Sequence, residues 1–239
     1  RICLNAGYAG YNDPLCSDIR ATFLNEYHPT NPLPDPFITF FQALTFPNAV
    51  RFAGVCGPDP YPDCYAEAGL VWQDTQDAAE AYYDRTAACS FTSFVAYEWS
   101  GQTSGNNLHR NIIFRNAEVP ALPISYYEKW KAEDMRAELK TQCLDAPGNC
   151  DVLAIDKMFH NRMTTNEALT PEWAELRASL ERVMEISQVK GDSECRDGVI
   201  GTTDELCNFE NNTTASITSG KLENDSDFSQ YAYARGGLK

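Results

Sequence analysis

Nine cysteines set the strongest constraint on this 239-residue chain. Eight fall as sequence-adjacent pairs in loops rich in Pro, Gly and Asp, and Cys89 is left over. The expected bridges are Cys3–Cys16, Cys56–Cys64, Cys143–Cys150 and Cys195–Cys207. Each closes a short loop, so each stabilises by about 2–3 kcal/mol at most, chiefly by restricting the unfolded chain. Zinc is the competing use of such thiols. No pair has the two-residue spacing of a zinc knuckle, and no histidine stands at ligand spacing beside a pair. Disulfides imply an oxidising setting, whether periplasm, cell surface or outside.

The net charge of −15 narrows the partners. Nucleic acid and anionic lipid both call for a basic face, so neither is expected. No stretch approaches the about 20 apolar residues of a membrane span. The start, Arg-Ile-Cys-Leu-Asn, has neither an initiator Met nor the form of a signal peptide. A processed or truncated chain is therefore expected.

In order, residues 1–50 read as an irregular, disulfide-bearing surface segment. Its prolines exclude long helices, and short ones are expected at 17–25 and 37–44. His28 reads as a surface histidine. Residues 51–210 read as an α/β core within one domain, and residues 211–239 as a polar tail. Helices are expected at 73–88, 126–142 and 171–182. In the second, Ala132, Met135 and Leu139 make one apolar stripe. In the third, Thr170 caps the helix, Pro171 opens it, and Trp173, Leu176 and Leu180 face inward. Strands are expected at 91–97, 112–114, 151–155 and 183–189. Alternation of this kind predicts a mainly parallel sheet with helices outside, a barrel or a doubly wound sheet. Asn211, Asn212 and Asn224 each start an N-x-[ST] sequon and mark an exposed loop.

One stretch carries chemistry. Residues 91–114, FTSFVAYEWSGQTSGNNLHRNIIF, read as a buried strand ending at Glu98, a polar loop, and a second strand opening with His109. A carboxylate and an imidazole brought together at strand ends make a metal or acid/base site. The plainer alternative is that both pair with Arg110 and backbone at a strand edge. Glu185 is a further polar intruder in the apolar run VMEISQV.

Several blocks occurring in order resemble the secreted bacterial family called domain of unknown function 3604. They are RFAGVCGPD, QDAAEAYYDRTAACSFT, FTSFVAYEWSG, NNLHRNIIFRN, VPALPISY, CDVLAI, MEISQVKGDSEC and DELCNFE. The resemblance covers roughly residues 1–210. That family in turn resembles metal-dependent hydrolases of the polymerase and histidinol phosphatase (PHP) type. It therefore implies a partial or distorted β/α barrel, TIM-related, with divalent metal ions (zinc, manganese or iron) at the strand ends. Metal-activated water would hydrolyse a phosphate or other ester there. By the same resemblance Glu98, His109 and Glu185 would be metal ligands. Arg110 would contact an anionic substrate, and Asp192 or Glu194 would support the ligands.

The resemblance also implies what this sequence lacks. The family's opening His-x-His strand, its Asp-His pair and its closing Asp-x-His strand have no counterpart. Ile155 runs directly into Asp156-Lys157-Met158-Phe159 where the family has Pro-His-Asn. His160, just downstream, reads as a surface residue. Two expectations follow: the central part of an extracytoplasmic hydrolase, or a non-catalytic binding or structural subunit on the same scaffold. In either case a second copy or a partner chain could complete the barrel. A calcium-binding module is disfavoured, because no Asp-x-Asp-x-Asp-Gly loop occurs.

Overall fold

The computed structural model describes residues 1–23, 49, 51–101, 109–156, 170–188, 191–192, 194–195, 197 and 203–208. The expected helix at 37–44, His28, His160, the three sequons and most of the loop before His109 lie outside them.

Two 3₁₀ turns, Ile2–Leu4 and Ala9–Asn12, precede helix α1, Pro14–Phe23. The Cys3–Cys16 disulfide ties the first turn to α1. Asp13 Oδ1 accepts the Leu15 N–H, which fixes the helix entry. A one-turn helix, α2 (Ala53–Cys56), leads through the Cys56–Cys64 loop into α3, Pro62–Tyr82. Proline at the first position and Asp63 in the first turn suit that start. The helix expected at 73–88 thus starts earlier, at Pro62, and ends earlier, at Tyr82.

Helix α3 turns Trp72 and Ala79 onto a sheet of β1 (Ala96–Trp99), β2 (Arg110–Phe114) and β3 (Val152–Asp156), in the order β1–β2–β3. Trp72 meets Tyr97 and Phe114 edge-on, with ring centroids 5.7 and 6.0 Å apart. Its indole N–H donates to Pro120 O at 2.8 Å. Helix α4 (Ala132–Leu139) buries Ala132, Met135 and Leu139, the predicted stripe, and runs on through a π-helical turn to Leu144. Helix α5 (Pro171–Leu180) starts as expected, with Thr170 Oγ1 accepting the Trp173 N–H. These helices enclose one core around Trp99, Ile112, Phe114, Met135, Leu139, Ala154 and Leu180.

The barrel and the mainly parallel sheet are both overturned. The described sheet is small, open and antiparallel throughout its named strands. Two connections explain this. The ten residues 100–109 that join β1 to β2 are fewer than the dozen or more a parallel crossover needs, so the second strand runs back along the first. After β2, the Cys143–Cys150 loop returns to where β2 ended. Arg115 N–H donates to Asp151 O at 2.9 Å, and the Asn116 amide to Asn149 O at 2.6 Å. Strand β3 therefore starts beside the end of β2 and runs the other way. The intervening helix is no crossover, although the alternation in the sequence suggests one. Parallel pairing among the described residues is confined to one bridge, Asp156 with Met184. The expected strand over 183–189 is reduced to that bridge and to β4 (Ser187–Gln188), paired with β5 (Gly191–Asp192).

All four disulfides form as expected, and Cys89 is a free, exposed thiol.

Candidate functional site

The register puts Glu98, His109, Arg110 and Asp156 at one end of the sheet. Trp99 is opposite Arg110, and Arg110 opposite Asp156. Alternation along the strands then separates these residues by face. Arg110, Ile112, Phe114, Val152, Ala154 and Asp156 turn inward and are buried. Glu98 and His109 turn to the other face.

On that outer face Glu98 Oε1 lies 2.7 Å from His109 Nδ1. The carboxylate side chain is 39 % exposed and the imidazole 11 %. Ser100 Oγ donates to the same Glu98 oxygen at 3.0 Å. The carboxylate therefore holds the ring through Nδ1. Gly101 closes the end of β1 beneath the pair. A Cβ there would come within 2.1 Å of the Trp99 ring, so only glycine lets the chain pass. Trp99 is itself fixed by its indole N–H, which donates to Lys129 O at 3.0 Å.

On the inner face five charges meet. Arg110 donates to Glu181 Oε1 (2.7 Å) and to Asp156 Oδ2 (3.2 Å). Arg136, from α4, reaches Glu181 Oε1 at 3.0 Å. Arg177, from α5, reaches Glu181 Oε2 at 2.6 Å and Asp156 Oδ2 at 3.1 Å. Trp99 lies against the Arg110 guanidinium, and Trp173 against those of Arg136 and Arg177. Burial pushes the Glu181 carboxyl up, but the guanidiniums of Arg110, Arg136 and Arg177 outweigh it and hold it at about 2. Burial works against the Arg110 charge, and Asp156 and Glu181 overcome it, so its pKa is raised. Arg136 is held below its ordinary value, first by burial and then by the neighbouring Arg110 and Arg177. Charges this enclosed persist only with partners of opposite sign, and the shared carboxylates tie α4, α5, β2 and β3 together.

Arg110, expected to face an anionic substrate, thus stands inside the protein among carboxylates. Glu185 is half-buried, and its N–H donates to Asp156 O at 2.9 Å. Its backbone lies beside the end of β3, two strand spacings from His109, or about 10 Å. Asp192 is placed by its backbone, paired with Ser187 in β5. Among the described residues, no group of three or more His, Cys, Asp or Glu side chains is placed to hold a metal ion. Glu98 and His109 supply two donors of the right kind, and the described residues do not by themselves complete a metal site. The buried network of Asp156, Glu181, Arg136 and Arg177 went unseen in the sequence. Its signals were an aspartate closing the apolar run VLAID and the i, i+4 pair Arg177–Glu181.

A model of the family described as "Protein of unknown function (DUF3604)" matches residues 45–239, and the chain belongs to that family. The match begins at residue 45, so the first disulfide segment lies outside it, and it runs on to the last residue. No curated protein and no solved structure matches the chain. Four disulfides fit an extracytoplasmic protein. Among the described residues, no helix is long and apolar enough to cross a membrane.

Proposed function

We propose that this chain contributes the Glu98–His109 pair to the site of an extracytoplasmic hydrolase acting on an ester, with a phosphoester favoured by the resemblance to PHP-type enzymes. The observation that carries the reading is the 2.7 Å part-buried contact between Glu98 Oε1 and His109 Nδ1 at the end of the sheet. In that role His109 takes a proton from water as the water attacks the ester, then gives it to the leaving oxygen. Glu98 orients the ring and stabilises the imidazolium formed in between. A divalent metal ion, when bound, would supply a polarised water and a charge for the developing oxyanion. Glu98 is the described residue of the pair able to share in holding it, because His109 Nε2 cannot ligate the ion and take the proton as well. The buried arginine network keeps the rim in register and takes no part in proton transfer.

The test uses the whole chain with p-nitrophenyl phosphate, bis-p-nitrophenyl phosphate and p-nitrophenyl acetate, each with and without added zinc, manganese or iron. The wild type is expected to hydrolyse at least one of these. His109→Gln is expected to lower kcat by roughly 10²–10⁴-fold, with thermal stability almost unchanged. Full activity in both His109→Gln and Glu98→Gln, or an inert wild type under all conditions, would overturn the reading.

A further inference from the structure

The outer face of the sheet carries a second feature, at the opposite end from the Glu98–His109 pair. A groove of about 410 Å³ is lined by Phe94, Ile113, Val152, Leu153, Arg115, Asp151 and Arg182. The register explains why Ile113, Leu153, Arg115 and Asp151 share the outer face, while Val152 touches the groove from the inward-facing row. Ile113 is opposite Leu153, and Arg115 follows two residues after Ile113, beside Asp151. Phe94 precedes β1 and is half exposed. Apolar side chains thus make the floor, while charged ones stand at the rim.

The rim is biased in sign. Two guanidiniums face one carboxylate in a chain whose net charge is −15. Arg115 is 79 % exposed and reaches Asp151 at 3.3 Å, the loose pairing of a surface contact. Arg182 is exposed, and its Nε donates to Ser179 O at 3.1 Å, which turns the guanidinium without neutralising it. A second cavity, about 470 Å³ between the first turn and α3, differs in this respect. There Arg51 is matched by Glu128, Arg1 by Asp74 and Glu67, and Tyr8 donates to Glu67. Its charges are already answered within the protein.

We propose that the sheet-face groove binds a small amphipathic anion. The apolar body lies on Ile113, Leu153 and Phe94, and the carboxylate, sulfate or phosphate group sits between Arg115 and Arg182. The volume sets the size: it lies within the roughly 300–1,000 Å³ of small-molecule sites. The rim sets the charge, because guanidinium forks match planar or tetrahedral anions. The apolar floor accounts for the preference over a free inorganic anion. This inference stands apart from the hydrolase reading, since it uses none of the residues of the Glu98–His109 pair.

The test is a fluorescence titration of the whole chain with 1-anilinonaphthalene-8-sulfonate, beside its neutral analogue N-phenyl-1-naphthylamine. The sulfonate is expected to bind saturably at one site and to be displaced by octanoate or octyl sulfate. Arg182→Gln and Arg115→Gln are each expected to weaken the sulfonate about tenfold, as loss of one charge-assisted contact requires, and to leave the neutral dye unaffected. Both positions are exposed, so both variants keep the wild-type far-ultraviolet spectrum. Equal binding of both dyes by all variants, or unsaturable binding at many sites, would mean general apolar exposure and would overturn the proposal. A dimer by light scattering whose dissociation by Leu153→Asp first creates the dye site would also overturn it, because a second copy would then be the occupant.

Discussion

His109 and Arg110 are neighbours in the chain and opposites in the structure. The first is largely buried but joins the partly exposed Glu98 on the outer face. The second is wholly enclosed on the inner face, between two carboxylates and the Trp99 ring. Both groups of residues are polar, both close the same end of the same sheet, and strand alternation alone parts them. The difference separates two uses of charge. On the inner face three guanidiniums share two carboxylates in a largely enclosed place, which gives rigidity. On the outer face a half-exposed carboxylate holds an imidazole that is itself largely buried, an arrangement that can serve proton transfer.

That contrast can be broken most severely from the inside. Glu181 accepts from three guanidiniums, so Glu181→Ala leaves them partly unmatched in a buried place. The expected loss is about 3–5 kcal/mol in urea unfolding. A loss below 1 kcal/mol would show that water or rearrangement replaces the carboxylate cheaply, and that the inner cluster is no scaffold.

Acid should reach the same cluster without mutation. The Glu181 carboxyl is held at about 2 in the folded protein, against an ordinary 4.5. A depressed folded value stabilises above the ordinary one, and that stabilisation is lost as pH falls from about 4.5 towards about 2. The loss from this one group is roughly 3 kcal/mol. Glu181→Gln should flatten that part of the stability curve, and an unaltered acid slope in the variant would contradict the assignment.

A disulfide remote from both clusters gives an intermediate effect. Removing Cys143–Cys150 with a pair of alanines should cost about 2–3 kcal/mol, because that loop hands the chain from α4 to β3. The outer pair should matter least to stability. Glu98→Gln should lower it by less than about 1 kcal/mol, the usual range for a partly exposed ion pair. A change as large as that of Glu181→Ala would make Glu98 structural and erase the contrast. Smallest of all, Cys89→Ser should leave stability unaltered, while thiol titration of the folded protein falls from one group to none.

Parts of this were legible in the residues. Spacing alone gave all four disulfides, because short loops between cysteines leave few other partners. The Thr170-Pro171 start of α5 and the Ala132, Met135, Leu139 stripe of α4 were read from capping and period. The approach of Glu98 to His109 was legible because the loop between two apolar runs is short. Strand direction was not. It depends on where the chain re-enters the sheet, and that is decided by residues 115–116 bonding to 149–151, a pairing with no sequence period. The buried network was equally hidden. Arg110, Asp156 and Glu181 lie far apart in sequence, and no spacing among them marks a contact. Only the fold shows that all three point inward.

The most direct measurement is of the His109 ring itself. Long-range ¹H–¹⁵N correlation spectra of the whole chain, recorded well above the ordinary histidine range, report which nitrogen carries the proton. The three histidines are separated by comparison with His109→Gln. The account predicts that His109 carries it on Nδ1, towards Glu98, and that Glu98→Gln shifts the balance towards Nε2. A proton already on Nε2 in the wild type, with no response to Glu98→Gln, would mean that the carboxylate does not hold the ring.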